Sequence, residues 1–327
     1  MAPNRPRRIA VLASGGDAPG MNACLRAVVR AGCDAGVEIL GVRRGFSGLI
    51  AADMSPLGRR DVGNIIQRGG IVLGTSRCEE FHTAEGRSKA ARSLREAEVD
   101  ALVVMGGEGS FRGVWSLAQE TSILCLGIPA TIDNDVYGTD FSLGFDTAVN
   151  IALEAIDRIR DTAESLERPF FVEVMGRSSG AIALEVGLAG GAQDVVVPET
   201  PTDIEELCAG LQEGFRRGRR SSIIVVSEGD EAGGAFVLAR EVGRCINTEY
   251  RVVVLGHVQR GGAPTARDRV LGAKLGAAAV DALVAGEENV MVGEVAGRVT
   301  LTPLREVSER VKRTDEALLH LVHRLTR

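Results

Sequence analysis

No C-x-x-C pair occurs among the six cysteines (Cys24, Cys33, Cys78, Cys125, Cys208 and Cys245), which are scattered over 327 residues. That spacing argues against a disulfide framework, and the cysteines read as reduced thiols of a cytosolic chain. Long apolar runs are missing as well: none approaches the roughly 18 residues of a membrane span. The basic amino terminus, MAPNRPRR, is not followed by the apolar stretch of a secretory signal. The expectation is a soluble, cytoplasmic protein with no membrane partner. Proline is sparse, 10 residues against 41 glycines. Glycine without proline points to tight strand-to-helix turns and close backbone approaches, not to disorder. Nor is there an excess of positive charge. The net charge of -6 disfavours a general nucleic-acid surface, so the basic residues are judged locally. No low-complexity linker and no internal repeat interrupts the chain.

What is present fits a soluble globular enzyme, with 45% apolar and 25% charged residues. A chain of 327 residues suffices for two α/β domains of ordinary size. Short apolar, β-branched runs at 8–12, 37–42, 99–105, 124–128, 170–175, 194–197, 223–226 and 251–255 read as strands. They lack clean alternation, which predicts parallel strands covered on both faces. Amphipathic helices fall between them. Over 147–160 the apolar positions Ala148, Ile151, Ala152, Ala155, Ile156 and Ile159 follow helical spacing. This order predicts an α/β architecture with right-handed crossovers and ligands at the carboxyl ends of the strands. A hairpin is expected over 290–301, turning at Ala296-Gly297, and a final helix over 308–325.

Three glycine-rich or acidic turns follow predicted strands. The first, SGGDAPGMN from Ser14 to Asn22, precedes a helix. Small residues there let backbone N–H groups approach an anion, and the helix N-terminus adds positive potential. Taken alone it fits a purely structural turn equally well. The second, MGGEGS from Met105 to Ser110, sets a carboxylate between glycines, which suits Mg²⁺ beside nucleotide phosphates. A plain helix cap is the alternative. The third, PATIDND from Pro129 to Asp135, places two carboxylates and a hydroxyl within five residues. One carboxylate can take a proton from an attacking hydroxyl while its neighbour works near the metal. An Asx-rich turn is the bland alternative. Three such turns after parallel strands make coincidence a poor explanation.

The segments SGGDAPGMN, GGIVLGTSR, GGEGS, TIDND, VEVMGRSSG, VVVPE and VLGHVQRGG occur in that order along nearly the whole chain. In this the sequence resembles the bacterial-type ATP-dependent 6-phosphofructokinases, the phosphofructokinase A family. The resemblance implies two three-layer α/β domains with mainly parallel sheets: 1–144 plus 258–307 for nucleotide, 145–257 plus 308–327 for sugar phosphate. It implies transfer of the γ-phosphoryl group of ATP to the 1-hydroxyl of fructose 6-phosphate, the committed step of glycolysis, with Mg²⁺ neutralising phosphate charge. Gly16, Gly107, Glu108, Gly109 and Ser110 then face the ATP phosphates, with Glu108 toward the metal and Arg77 as an electrostatic clamp. Phe46, Cys78 and Arg87 fall where the family lines its nucleotide site. Asp133 falls on the general base, while Thr131 and Asp135 position phosphate and metal-bound water. Arg177 stabilises charge on the transferring group.

For the sugar, Met175, Gly176, Glu228, His257 and Arg260 match contacts from one subunit. Arg168 and Arg251 match arginines that reach the 6-phosphate from a neighbouring subunit of a homotetramer. Arg26, Arg30, Arg59, Arg160, Arg217 and Arg219 match a basic pocket for ADP or phosphoenolpyruvate. Without the resemblance, those six read as a solvated face, and His257 as a packed structural histidine.

The sequence also departs from the family. Glu108 stands where the motif has Asp, Gln193 where it has Glu, and Asn64 where it often has Asp. At Cys78 the family often carries a larger side chain. Gly109 and Ala130 matter for the phosphoryl donor. Pyrophosphate-dependent relatives carry Asp and Lys at these places, so both residues point to ATP. The competing readings are a pyrophosphate-dependent enzyme and a catalytically silent nucleotide-binding regulatory subunit, the latter supported by Glu108 alone.

Overall fold

Residues 5–231 and 233–326 are described by a computed structural model of the chain; Met1 to Asn4 and Arg327, inside the expected domain limits, lie outside them. The strands are β1 (Arg8–Ala13), β2 (Glu38–Val42), β3 (Met54–Pro56), β4 (Ala101–Gly106), β5 (Leu124–Pro129) and β6 (Pro169–Val174). They continue with β7 (Asp194–Val196), β8 (Ser222–Ser227), β9 (Arg251–Val254), β10 (Val290–Val295) and β11 (Arg298–Pro303). The helices are α1 (Met21–Asp34), α2 (Gly45–Ile50), α3 (Ala84–Glu96), α4 (Glu108–Glu120), α5 (Phe145–Leu166) and α6 (Ala181–Ala189). After them come α7 (Ile204–Arg216), α8 (Gly234–Ile246), α9 (Ala266–Ala285), α10 (Leu304–Glu309) and α11 (Glu316–Thr326).

The chain divides into two compact units, one of residues 1–146 and 260–312, the other of 147–259 and 313–327. In the first, a seven-stranded sheet runs in the order β11-β10-β5-β4-β1-β2-β3. β10, β5, β4, β1 and β2 are mutually parallel, while β11 and β3 pair antiparallel at the two edges. The expectation of parallel strands covered on both faces is met. Ala10 and Leu12 of β1 pack with Phe46, Phe81, Leu94, Phe111, Leu117 and Leu304, from α2, α3, α4, α10 and the turn before α3. Ile9, Val11 and Ala13, on the opposite face, are equally buried. The helix pair α1 and α9 packs closely because Gly272 and Gly276 of α9 meet the backbone of Cys24, and a Cβ at Gly276 would press on Cys24 O.

The second unit holds a four-stranded parallel sheet in the order β7-β8-β6-β9. Phe171, Ile224 and Val226 pack with Leu207, Leu211, Leu238 and Val242 of α7 and α8. The alternate residues Val172, Ile223 and Val225 are buried too, so helices cover both faces here as well. The predicted stripe of α5 is observed: Ala148, Ala152 and Ile156 are buried.

Two expectations are corrected. The edge strand β3 has three residues and no apolar run of its own to betray it. The carboxy-terminal helix expected over 308–325 is instead two helices, α10 and α11, separated by a non-helical stretch at 310–315. Arg310 and Lys312 in that stretch turn toward Tyr137, Asn134 and Asp140, and these tertiary partners override local helical preference. The hairpin is as expected. Val295 pairs with Arg298, leaving Ala296 (φ 50°) and Gly297 (φ 76°) as a two-residue turn with both φ positive.

Candidate active site

In the first unit the order of strands reverses between β1 and β4, since β1 lies between β4 and β2. Loops leaving the carboxyl ends on either side of such a point diverge and open a crevice for ligands. The first two glycine-rich turns leave from there. Ser14 N donates to Met105 O at 2.9 Å, and Ser110 Oγ donates to Ser14 Oγ at 3.0 Å. The third turn lies alongside, because Ala130 N donates to Gly106 O at 2.9 Å. Three turns far apart in sequence are thus adjacent, with the N-termini of α1 and α4 opening onto two of them.

Gly16 lies directly under the guanidinium of Arg260: a Cβ there would press on Nη1, which donates to Asp17 O at 3.1 Å. Arg260, expected on the sugar, therefore rests across the first turn. The GGIVLGTSR segment is bound to the same turn by Thr75 Oγ1, which lies 2.9 Å from Gly15 O. It is held further by buried Asn22. The Asn22 side chain accepts from Val72 N at 2.9 Å and donates to Arg68 O at 3.1 Å. This role of Asn22 was not foreseen, although its place in SGGDAPGMN was the available signal. Arg77, at the end of that segment, is exposed.

Gly107 caps α4, and Glu108 in its first turn is partly buried and ion-paired with Arg112 one turn on. A Cβ on Gly109 would meet nothing within 4 Å. Among the described residues no group of three or more His, Cys, Asp or Glu could hold a metal ion. Phe46 stacks on Phe81 at 3.7 Å between centroids, and both are buried, with Cys78 against the same cluster. Arg87 is tied to α4 and to the turn before α3. Its Nε and Nη2 donate to Glu120, and Nη1 donates to His82 O at 2.8 Å. Hydrogen bonding from Arg87 holds the Glu120 carboxyl below its usual range.

In the third turn Asp133 is 3% exposed, and its N–H donates to Thr131 Oγ1 at 3.2 Å. Asn134 adopts a left-handed conformation (φ 52°). Its side chain accepts from Ser142 N at 3.0 Å and donates to Asp140 O at 3.1 Å, so a side-chain network fixes the loop that carries Asp133. Asp135 is partly buried beyond it.

In the second unit, Met175, Gly176 and Arg177 follow β6, Glu228 follows β8, and His257 lies exposed in the 3-10 turn Gly256–Arg260 after β9. These strands are neighbours, so the residues share the carboxyl end of the sheet. Glu228 Oε1 accepts from Arg177 N at 3.0 Å, and Gln259 Oε1, fully buried, accepts from Met175 N at 2.9 Å. Gly229 must lack a side chain, because a Cβ would run into Arg177 O. Glu199 of VVVPE accepts from Gly180 N at 2.8 Å.

Arg168 and Arg251 are at the other end of the same sheet. Arg168 immediately precedes β6, and Arg251 opens β9 in register with Phe170. Arg168 pairs with Glu249 at 2.7 Å. Sequence spacing could not show this, since the pair forms across neighbouring strands. Of the six arginines of the expected basic pocket, Arg26, Arg30 and Arg59 are in the first unit and Arg160, Arg217 and Arg219 in the second. Arg30 Nε is buried without a hydrogen-bond partner, and Arg59 pairs with Asp34 at 3.3 Å. Arg160 donates to Gly190 O and Gly191 O, and Arg217 pairs with Glu213 at 2.8 Å. Exposed Arg219 lies near Gly214. Gln193 accepts from Ile223 N, while Asn64 is left-handed (φ 54°).

A three-layer α/β unit with glycine-rich turns gathered at a strand-order reversal has the architecture of phosphate- and nucleotide-binding proteins. The family follows: residues 8–283 match the Phosphofructokinase model, and the chain belongs to that family. It is 58% identical over 315 residues to "ATP-dependent 6-phosphofructokinase 1" of Thermus thermophilus, covering 96% of this chain and 98% of that one. To "ATP-dependent 6-phosphofructokinase" of Halothermothrix orenii it is 45% identical, covering 98% and 99%. Among solved structures, Pichia pastoris phosphofructokinase in the T-state is similar at TM-score 0.88 and 32% identity. The match covers 98% of this chain but spans only 37% of that one. A pyrophosphate-dependent phosphofructokinase from Marinobacter aquaeolei, at 24% identity and TM-score 0.83, shares the fold.

Proposed function

We propose that the chain transfers the γ-phosphoryl group of ATP to the 1-hydroxyl of fructose 6-phosphate, giving fructose 1,6-bisphosphate and ADP. The observation that carries this reading is the adjacency of the three turns in the first unit, with a buried carboxylate, Asp133, on the third. Two turns offer backbone N–H groups to phosphate, and the third offers a base. Asp133 takes the proton of the attacking hydroxyl, while Thr131 and Asp135 orient phosphate and water. Arg77 and Arg177 stabilise charge on the moving group, and Gly16, Gly107, Gly109 and Ser110 let the polyphosphate lie against the backbone.

Mg²⁺ binds best with one or two carboxylates, substrate phosphates and water, and partly buried Glu108 in the first turn of α4 fits that modest demand. When bound, the ion neutralises phosphate charge.

The second unit supplies the sugar-phosphate contacts. Met175, Gly176, Glu228, His257 and Arg260 take the sugar. Between Arg168 and Met175 runs the length of β6, roughly 20 Å for an extended segment of this size. One 6-phosphate cannot touch both ends in one chain, which supports a homotetramer in which Arg168 and Arg251 serve a neighbour's site. The six arginines of the basic pocket serve an anionic effector, ADP or phosphoenolpyruvate. The cytoplasm is the compartment that supplies these substrates.

Gly109 and Ala130 carry no charge, which supports ATP over pyrophosphate as donor. A coupled assay with fructose 6-phosphate as acceptor tests this directly. Turnover with ATP and none with pyrophosphate is expected. Turnover with pyrophosphate alone overturns the donor assignment, and none with either donor leaves a silent regulatory subunit.

A further inference from the structure

The loop that carries Asp133 is gripped from the carboxy-terminal side of the chain by a segment outside every motif considered above. Between α10 and α11 the chain is non-helical, and within the first unit Lys312 Nζ lies 3.0 Å from Asn134 Oδ1 and 2.7 Å from Asp140 O. Arg310 supplies a second grip two residues earlier. Its guanidinium lies 5.1 Å from the Tyr137 ring centroid, and Nη1 donates to the Tyr137 hydroxyl at 2.5 Å. The opposite side of the loop is fastened to β10. Asp140 N donates to Glu294 O at 2.8 Å, Glu294 N donates to Thr139 Oγ1 at 3.1 Å, and Ala296 N donates to Asp140 Oδ2 at 2.7 Å.

We propose that Lys312 is a positioning residue for phosphoryl transfer, holding the Asp133 loop in its working conformation through Asn134. This rests on the reading of Asp133 as the general base. Asn134 immediately follows Asp133 and sits at φ 52°, a left-handed conformation that an asparagine holds only with some cost. Its Oδ1 takes the Lys312 ammonium in addition to Ser142 N, and a charged donor makes a stronger hydrogen bond than a neutral one. Removing the ammonium leaves the Asn134 amide to Ser142 and Asp140 alone and frees the Asp133 backbone to shift. A shift of about 1 Å in a catalytic group is enough to cost up to about 10²-fold in rate. The ammonium is partly buried and sits in the field of Asp140 and Asp135; burial lowers its pKa to about 8. A partly desolvated cation on a loop's carbonyl and amide oxygens is costly unless those bonds are made, which is why the contact is specific.

The test uses the full-length enzyme with fructose 6-phosphate and ATP, and compares Lys312→Met, Lys312→Arg and Asp133→Asn with the double variant Lys312→Met/Asp133→Asn. Lys312→Met is expected to lower kcat at least about 10-fold, to leave the KM for ATP within about twofold, and to be largely rescued in Lys312→Arg. In the Asp133→Asn background the same change should add no further loss, because the residue acts through Asp133. Unchanged kcat in Lys312→Met overturns the proposal, as does a loss that is fully additive with Asp133→Asn. A loss that Arg does not rescue, and that follows a lowered thermal unfolding midpoint, overturns it too by marking a purely structural anchor. Normal turnover in Asp133→Asn would instead remove the base assignment, a separate and recognisable failure.

Discussion

The peptide N–H of Arg177 lies 3.0 Å from Oε1 of Glu228, and this bond holds Arg177 at φ 51°, a left-handed conformation seldom adopted by a residue with a side chain. Gly176 N reaches the same oxygen at 3.4 Å. One carboxylate at the end of β8 therefore shapes the loop after β6. Glu228→Ala removes a charged acceptor from two backbone donors, a loss of about 1–3 kcal/mol in hydrogen bonding. We expect the KM for fructose 6-phosphate to rise at least about 10-fold, with a smaller fall in kcat. Steady-state kinetics on a folded variant check this; an unchanged KM would show that Arg177 holds its conformation without Glu228.

The placement of Arg168 and Arg251 at the amino ends of β6 and β9 leads to a complementation experiment. Subunits carrying Arg251→Ala and subunits carrying Asp133→Ala should each be inactive as pure oligomers. Mixed and reassembled, they should regain part of the activity, because some sites would combine an intact Asp133 with a neighbour's intact Arg251. If no mixture recovers activity, the 6-phosphate is bound within one chain.

At Gly109 an added Cβ would meet nothing within 4 Å. Gly109→Asp should therefore fold with an unchanged unfolding midpoint. Its new negative charge, beside the turn proposed to face the ATP phosphates, should raise the KM for ATP at least about 10-fold through like-charge repulsion. A variant with unaltered ATP kinetics would place the triphosphate away from α4.

A pH effect is expected from Arg87 and Glu120. The folded-state pKa of Glu120 is lowered from 4.5 by hydrogen bonding to Arg87. Its contribution to stability is therefore present above the ordinary carboxyl value and is lost as pH falls through the lowered one. The Glu120 side chain is 39% exposed, so screening limits the effect to about 1 kcal/mol or less. Glu120→Gln should lower the thermal unfolding midpoint slightly at about pH 7, and the difference should be smaller at about pH 3. A gap of the same size at both pH values would mean that packing, not charge, holds the pair.

The turns of the candidate site were legible because each is a local signal, set directly after a run of buried apolar residues. Ser14 to Asn22, Met105 to Ser110 and Pro129 to Asp135 all follow observed strands. Less legible were residues whose role depends on a distant partner. Arg87, expected at the nucleotide, is hydrogen-bonded to Glu120 of α4. Arg260, expected at the sugar, also lies against Gly16. Asn22, Gln259 and Glu199 tie motif loops in place, and nothing in their immediate sequence announces what they bind.

The sequence by itself determined the succession of strands and helices, since buried parallel strands are continuous apolar runs and amphipathic helices carry a 3.6-residue period. It also determined the chemistry available at each turn, because glycine and carboxylate act over a few residues. Tertiary structure alone decided which turns are neighbours. The order β5-β4-β1-β2 is not the order of the chain, and side-by-side strands are chosen by how whole faces pack rather than by local preference. It alone decided that Arg168 and Arg251 lie opposite Met175 and Glu228. It alone broke the carboxy-terminal helix at 310–315, where the bonds of Arg310 and Lys312 to the Asp133 loop outweigh the few tenths of a kcal/mol per residue by which helical preference differs.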